Sequence, residues 1–240
     1  MSARLLLIED DAAIARFVEL ALEELPDHDP EAPPVEFRLV RSLAGAREAL
    51  AGGGWALVIS DLMLPDGSAE LLLAEGHARA PGAPPWLVFS AGVHDERRPL
   101  LAAQGVACTL RKPVPLEELL SAIAGLLRRG EAPVPPEAAT AAGDPVATHF
   151  GGDRAMYESF RAGCLERFGA DLAQGEAAVA ASDAVALRPV VHGLKAVLEL
   201  IGEPGLAAQA RALEAAAEQG EVAAQAWAVM AQGLRTLASR

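Results

Sequence analysis

Lysine is nearly missing from this chain: of 20 basic residues in 240, only Lys112 and Lys195 are lysines and the rest are arginine. Aromatic side chains are scarce too, at 4% against 52% hydrophobic residues overall, which favours helices packed through small side chains. The two cysteines, Cys108 and Cys164, lie far apart with no CxxC or Cys/His ligand spacing, which argues against a zinc site and against a disulfide framework. The longest apolar runs, such as Leu5–Ile8 and Trp86–Phe89, fall far short of the ~20 residues of a membrane span, so no membrane association is expected. Positive charge is in deficit throughout, with 33 acidic residues and a net charge of −13. Residues 1–130 carry 12 basic and 19 acidic side chains, and residues 131–240 carry 8 and 14. Neither part has the basic stripe that contacts to a phosphate backbone require, which excludes nucleic acid as the expected partner. The N-terminus runs almost at once into Leu5-Leu6-Leu7-Ile8-Glu9-Asp10-Asp11 without the basic and apolar leader of an exported protein, so a cytoplasmic location is expected.

What is present is ample apolar material, patterned in two ways. Short apolar runs at Arg4–Ile8, Val35–Val40, Ala56–Ser60, Trp86–Ser90 and Ala107–Leu110 read as strands. Between and after them, helical patterns lie near 12–25, 43–51, 67–79, 95–104 and 116–129, and Pro26–Pro34 reads as an enlarged loop. Five strands alternating with five helices predict a doubly wound (βα)5 domain, α/β in class, with a five-stranded parallel sheet covered on both faces. A Pro-rich linker follows over 131–147. From 148 to 240 the pattern is wholly helical: Tyr157, Phe160, Cys164, Phe168 and Leu172 recur at steps of three and four. So do Leu206, Ala210, Leu213 and Ala217, and Val222, Ala226, Val229 and Met230. Gly202, Gly205 and Gly220 punctuate these helices. An antiparallel, four-helix-type bundle is the economical reading.

In a doubly wound sheet, sites form beyond the carboxyl ends of the strands. Here four such ends carry polar chemistry: Glu9-Asp10-Asp11, Ser60-Asp61, Ser90-Ala91-Gly92 and Arg111-Lys112-Pro113. Crowded carboxylates repel one another and call for a cation. Mg2+ suits such a site because it takes one or two carboxylates, keeps waters and completes its shell with phosphate oxygens. A lysine ammonium and a serine hydroxyl could bind the remaining phosphoryl oxygens, and a carboxylate can itself accept a phosphoryl group. Taken singly, each piece has a bland explanation: Glu9–Asp11 as a helix cap, Asp61 as a turn former, Lys112 as a surface charge.

Taken together, residues 1–130 resemble the receiver domain of two-component response regulators over their whole length. The matching pieces are Leu-Leu-Ile-Glu-Asp-Asp, Ser-Asp-Leu-Met-Leu-Pro-Asp-Gly, Val-Phe-Ser-Ala-Gly and Arg-Lys-Pro. The resemblance implies a flavodoxin-like fold, with Asp61 as the phospho-accepting aspartate. It implies that Glu9, Asp10, Asp61 and the Met63 backbone carbonyl hold Mg2+, and that Ser90 and Lys112 contact the phosphoryl group. The Lys112–Pro113 bond would be cis, and Asp11 has no metal role. One position departs from the family: an aromatic usually stands three residues before the motif lysine, and here it is Thr109.

The second constellation is one histidine on a helix. In Pro189–Gly202, Val191, Leu194, Leu198 and Ile201 form an apolar stripe, broadened by Val190 and Val197, while His192, Lys195, Ala196 and Glu199 fall opposite. A solvent-facing imidazole can attack a phosphoryl group, and a lysine one turn away can stabilise the charge that arrives. Small Gly193 and Ala196 leave room for a partner. Pro189 is unusual, since proline inside a helix removes one backbone hydrogen bond. His28, His77, His94 and His149 lie in loop or surface composition and read as ordinary surface histidines. His-Gly-Leu-Lys, Gly202, Leu206, Leu213-Glu214 and Gly220 make residues 148–240 resemble a histidine phosphotransfer domain, with Ala196 replacing the usual glycine.

The two resemblances imply a phosphorelay protein. Asp61 accepts a phosphoryl group from a sensor histidine kinase in an Mg2+-dependent step. His192, assisted by Lys195, exchanges phosphoryl groups with a receiver aspartate in the same chain or in another protein. No Walker-type Gly-rich loop or kinase ATP-binding region is recognisable, so the chain reads as a relay intermediate rather than a kinase. Lys is a compact point charge that Arg does not replace, and both lysines fall at the two sites. The alternative is a binding module in which phosphorylation of Asp61 alters interdomain docking without transfer through His192.

Overall fold

The computed structural model describes residues 2–129 and 144–239. The chain divides into two compact units, Met1–Ala142 and Gly143–Arg240. The predicted linker, 131–147, lies outside the described residues as far as residue 143; its last residues already belong to a helix, Pro145–His149.

In the first unit, β1 (Ala3–Ile8), β2 (Val35–Val40), β3 (Leu57–Ser60), β6 (Trp86–Ser90) and β7 (Cys108–Arg111) form a parallel sheet in the order β2-β1-β3-β6-β7. That order and the helices α1 (Ala12–His28), α2 (Leu43–Ala51), α3 (Glu70–Ala74), α4 (Arg98–Ala103) and α5 (Leu116–Arg129) make the unit flavodoxin-like. β3 and β6 are buried at every residue, whereas β2, on the edge, alternates between half-buried and exposed. Continuous apolar runs therefore mark the strands covered on both faces, and alternation marks the edge. The chain steps from β1 out to β2 and then back across β1 to β3. The order thus reverses between β1 and β3, the position beside whose carboxyl ends ligand sites form in doubly wound sheets.

Three local expectations need correction. α1 continues through Pro26 to His28, so the expected loop is shorter. The helix expected over 67–79 is instead a two-residue hairpin, β4 (Met63–Leu64) with β5 (Gly67–Ser68), followed by the five-residue α3. The helix expected over 95–104 begins only at Arg98.

The second unit is helical: α6 (Pro145–His149), α7 (Arg154–Ala180), α8 (Ala184–Leu200), α9 (Pro204–Glu218) and α10 (Ala224–Ala238). Asp144, Asp153 and Asp183 cap α6, α7 and α8, each accepting a hydrogen bond from a backbone N–H of the first turn. α7 packs on α8, α8 on α9, α9 on α10 and α10 on α7, a closed ring of four around Phe160, Phe168, Leu187, Leu198, Leu213, Met230 and Leu234. Pro189 lies inside α8, beyond its first turn. The stripe predicted for α10 is displaced: Trp227, Met230, Ala231, Leu234 and Leu237 are buried, while Ala226 and Val229 are exposed. Among the described residues no helix is long and apolar enough to cross a membrane.

Candidate functional site

Three expected residues of the first site, Glu9, Asp61 and Lys112, stand at strand ends that the sheet still holds. Glu9 N donates to Val40 O (3.0 Å), Asp61 N to Ile8 O (2.9 Å) and Lys112 N to Ser90 O (3.2 Å). The backbone hydrogen bonds of the sheet thus carry one residue past the ends of β1, β3 and β7. The side chains meet there: Lys112 Nζ donates to Glu9 Oε2 at 2.5 Å and to Asp61 Oδ2 at 2.6 Å, with all three side chains buried. Asp61 Oδ1 accepts from the backbone N–H groups of Leu62 (2.5 Å) and Met63 (3.1 Å). Lys112 also lies 5.2 Å from the centre of the Phe89 ring, and the Lys112–Pro113 bond is cis.

The electrostatics follow from burial. Desolvation pushes the Glu9 carboxyl well above its usual range; the Lys112 ammonium opposes this and the Asp61 charge adds to it. Burial also raises Asp10, against hydrogen bonding to its own backbone, with repulsion from Asp61 contributing. Lys112 loses hydration, which disfavours its charge, yet Asp61 and Glu9 more than offset that and hold it protonated. Three carboxylates thus face one ammonium, leaving negative charge in excess. Among the described residues no three His, Cys, Asp or Glu side chains converge as a ready-made metal cage. The donor set nevertheless fits Mg2+, which needs only one or two carboxylates and fills the rest of its octahedron with waters and phosphate oxygens.

The neighbouring residues separate by role. Asp11 is the N-cap of α1, accepting from Ala13 N (2.7 Å) and Ile14 N (3.2 Å), so the acidic run is part cap and part site. Ser90, fully buried at the end of β6, accepts from Gly92 N at 3.3 Å. Thr109 is half-buried in β7, paired with Val88.

In the helical unit, His192 and Lys195 meet on one carboxylate from α9. His192 Nδ1 is hydrogen-bonded to Glu214 Oε1, and Lys195 Nζ donates to Glu214 Oε2 at 2.5 Å. Burial alone would raise the Glu214 carboxyl, but the hydrogen bonds and charges of His192 and Lys195 bring it down to about 2. An ionised carboxylate only accepts, so in the neutral imidazole the proton sits on Nδ1 and the lone pair on Nε2. Two expectations change here. The imidazole does not face solvent openly, its side chain being 15% exposed, and Ala196 is buried in the core. Glu214, to which the sequence pattern alone assigns no role, is the carboxylate that joins the two side chains. Arg188–Glu218 (2.8 Å) and Arg211–Glu199 continue the α8–α9 contact on either side of it.

No family model and no curated protein matches the sequence. Solved structures similar to the first unit include the HemR receiver domain from Leptospira biflexa (23% identity, 57% of this chain and 100% of that one, TM-score 0.46). A two-component response regulator from Clostridium difficile is similar at 19% identity, over 55% of this chain and 100% of that one, with a TM-score of 0.45. The orphan response regulator HP1043 of H. pylori gives 20%, 53%, 98% and 0.44. All three lie along about half of this chain.

Proposed function

We propose that this chain is a two-site phosphorelay protein. A receiver domain over residues 1–130 is joined by a linker, 131–147, to a histidine phosphotransfer domain over 148–240. Asp61 takes a phosphoryl group from the phosphohistidine of a sensor kinase: the Asp61 O–P bond forms as the histidine N–P bond breaks, and the departing imidazole leaves neutral, with the N–P bonding pair on the released nitrogen and its proton kept on the other. Lys112, already hydrogen-bonded to Asp61, stabilises the oxygens that arrive, and Ser90 supplies a hydroxyl from the next strand end. Glu9, Asp10, Asp61 and the Met63 carbonyl would hold Mg2+, which supplies the positive charge a phosphoryl group needs beside three carboxylates.

His192 Nε2 is the second acceptor. Glu214 keeps a proton on Nδ1, so the lone pair of Nε2 attacks the phosphorus of a receiver's aspartyl phosphate, in this chain or in another protein; the Nε2–P bond forms as the aspartyl O–P bond breaks, and the aspartate leaves as a carboxylate. What supports the whole reading is that the two lysines of an arginine-dominated chain stand one in each site, each hydrogen-bonded to a carboxylate there. Purified protein given acetyl phosphate and Mg2+ tests it, with wild type, Asp61→Ala and His192→Ala compared by site-resolved phosphorylation. Phosphohistidine at 192 that vanishes in Asp61→Ala establishes transfer between the sites. Label confined to Asp61 assigns His192 to another protein's receiver or to docking alone. No label in any variant removes the reading.

A further inference from the structure

The N-terminus of α2 belongs to neither site, yet it is hydrogen-bonded to both loops that carry the expected Mg2+ donors. On one side, Arg41, two residues before α2, donates from Nη1 to the backbone carbonyl of Asp10 at 2.9 Å. On the other, Asp66 at the tip of the β4–β5 hairpin accepts from two α2 amides, Leu43 N to Oδ1 at 2.8 Å and Ala44 N to Oδ2 at 3.1 Å. The hairpin transmits that anchor inward, because Met63 pairs with Ser68 and Leu64 with Gly67, so the placement of Asp66 fixes the register of Met63. Gly67 allows the close approach. Its φ is +139°, and a Cβ there would lie 2.9 Å from Leu43 Cδ1 on α2. The free N–H groups of a helix's first turn are natural partners for a carboxylate, and with both its oxygens engaged Asp66 is held in one orientation.

Resting on the reading above, we infer that Asp66 and Arg41 are positioning residues that set the Mg2+ affinity of the Asp61 site by fixing the hairpin of Met63 and the loop of Asp10 to the same helix end. Neither residue touches the cation. Each holds a loop that does, in the way outer partners orient the ligands of metal sites generally, where their loss weakens binding about 10- to 100-fold. Because both act through one helix end, their effects are not independent.

The test is Mg2+ titration of the full chain by calorimetry, with thermal melting of each variant in parallel. Asp66→Ala and Arg41→Ala each weaken Mg2+ binding about tenfold or more. Asp66→Asn, which keeps a side-chain oxygen for one α2 amide, restores most of it. The double variant binds more tightly than the product of the single losses predicts. Ser42→Ala is the control: Ser42 also caps α2, accepting from Gly45 N at 3.1 Å, but among the described residues no side-chain hydrogen bond ties it to either loop. It lowers the melting temperature and leaves Mg2+ affinity unchanged. If Asp66→Ala and Arg41→Ala melt lower yet bind Mg2+ like wild type, or if Ser42→Ala weakens binding as much as they do, the inference is overturned and the proposed function stands. A wild-type chain that binds no Mg2+ overturns both.

Discussion

Lys112 is hydrogen-bonded to two buried carboxylates and opposes the protonation that burial favours at Glu9. Replacing it by methionine keeps the apolar stem and removes the ammonium, leaving Glu9 and Asp61 uncompensated at their strand ends. Breaking a buried ion pair in this way costs about 3–5 kcal/mol, less whatever a carboxylate recovers by taking up a proton. Removing the ammonium lifts the Glu9 carboxyl still further above its unfolded value, so the variant loses more stability than wild type as pH rises. Lys112→Met should therefore be destabilised more at pH 8 than at pH 5, measured by hydrogen exchange of the Val58–Ser60 amides; a pH-independent deficit would show that the charges do not matter. Glu214 runs in the opposite sense. Its folded pKa of about 2 lies below the ordinary 4.5, so its contribution is fully present above pH 4.5 and is lost as pH falls towards 2. A shift of this size corresponds to about 3 kcal/mol. Glu214→Gln should flatten the acid melting curve of the helical unit between pH 4.5 and 2, followed by circular dichroism. Glu214→Ala should turn the single imidazole tautomer of His192 into a mixture, read from its ring nitrogen shifts by NMR.

At the scale of elements, α7 and α10 approach closely at one glycine of the helical unit. Gly175 is buried where a Cβ would lie 2.0 Å from Cη2 of Trp227, so the indole occupies the space a side chain would need. Gly175→Ala should cost about 1–3 kcal/mol by overpacking, despite alanine's better helix propensity. Urea unfolding followed by helical circular dichroism measures it, and an unchanged midpoint would mean that α10 can slide. The same joint shows where sequence pattern ran short. Ala226, Val229 and Met230 keep helical spacing, but alanine suits either face, and it is the bulk of Trp227 that sets the register of α10. Ala196 was placed outside for a related reason: the buried arc of α8 is wider than the stripe drawn from its largest residues. The long elements were legible because periods of two and of three to four persist over many residues, as in β1, α1 and α5. A two-residue hairpin such as β4–β5 has no period to read. The cluster at the carboxyl end of the sheet was legible because four neighbouring strand ends, those of β1, β3, β6 and β7, carry polar groups. Glu214 did leave a signal, a lone acid beside Ala210, Leu213 and Ala217 on the buried side of α9, but only a partner across the bundle gives that signal a meaning.

The whole molecule is two units of like charge. Residues 1–130 carry 12 basic and 19 acidic side chains, residues 131–240 carry 8 and 14, and the chain totals −13. If His192 receives its phosphoryl group from an acidic receiver site, the encounter runs against long-range repulsion, because the approaching surfaces lie within fields of the same sign. Salt screens such fields over roughly 10 Å at 0.1 M, whereas the short contacts made after docking are screened far less. Transfer between the units expressed as separate chains should therefore quicken as ionic strength rises from about 20 to 200 mM, by a few-fold in the second-order rate. In the intact chain the linker sets the local concentration, and the same change in salt should have less effect. Rapid-quench assays starting from phosphorylated 1–130 and fresh 144–240 give the first rate, and the full-length protein gives the second. A rate that falls with salt in the separated pair would mean that local attraction between basic groups beside His192, such as Arg188 and Arg211, and the carboxylates around Asp61 outweighs the net charge. That outcome would shift the account of recognition from the molecule's overall field to the few pairs that meet at the transfer site.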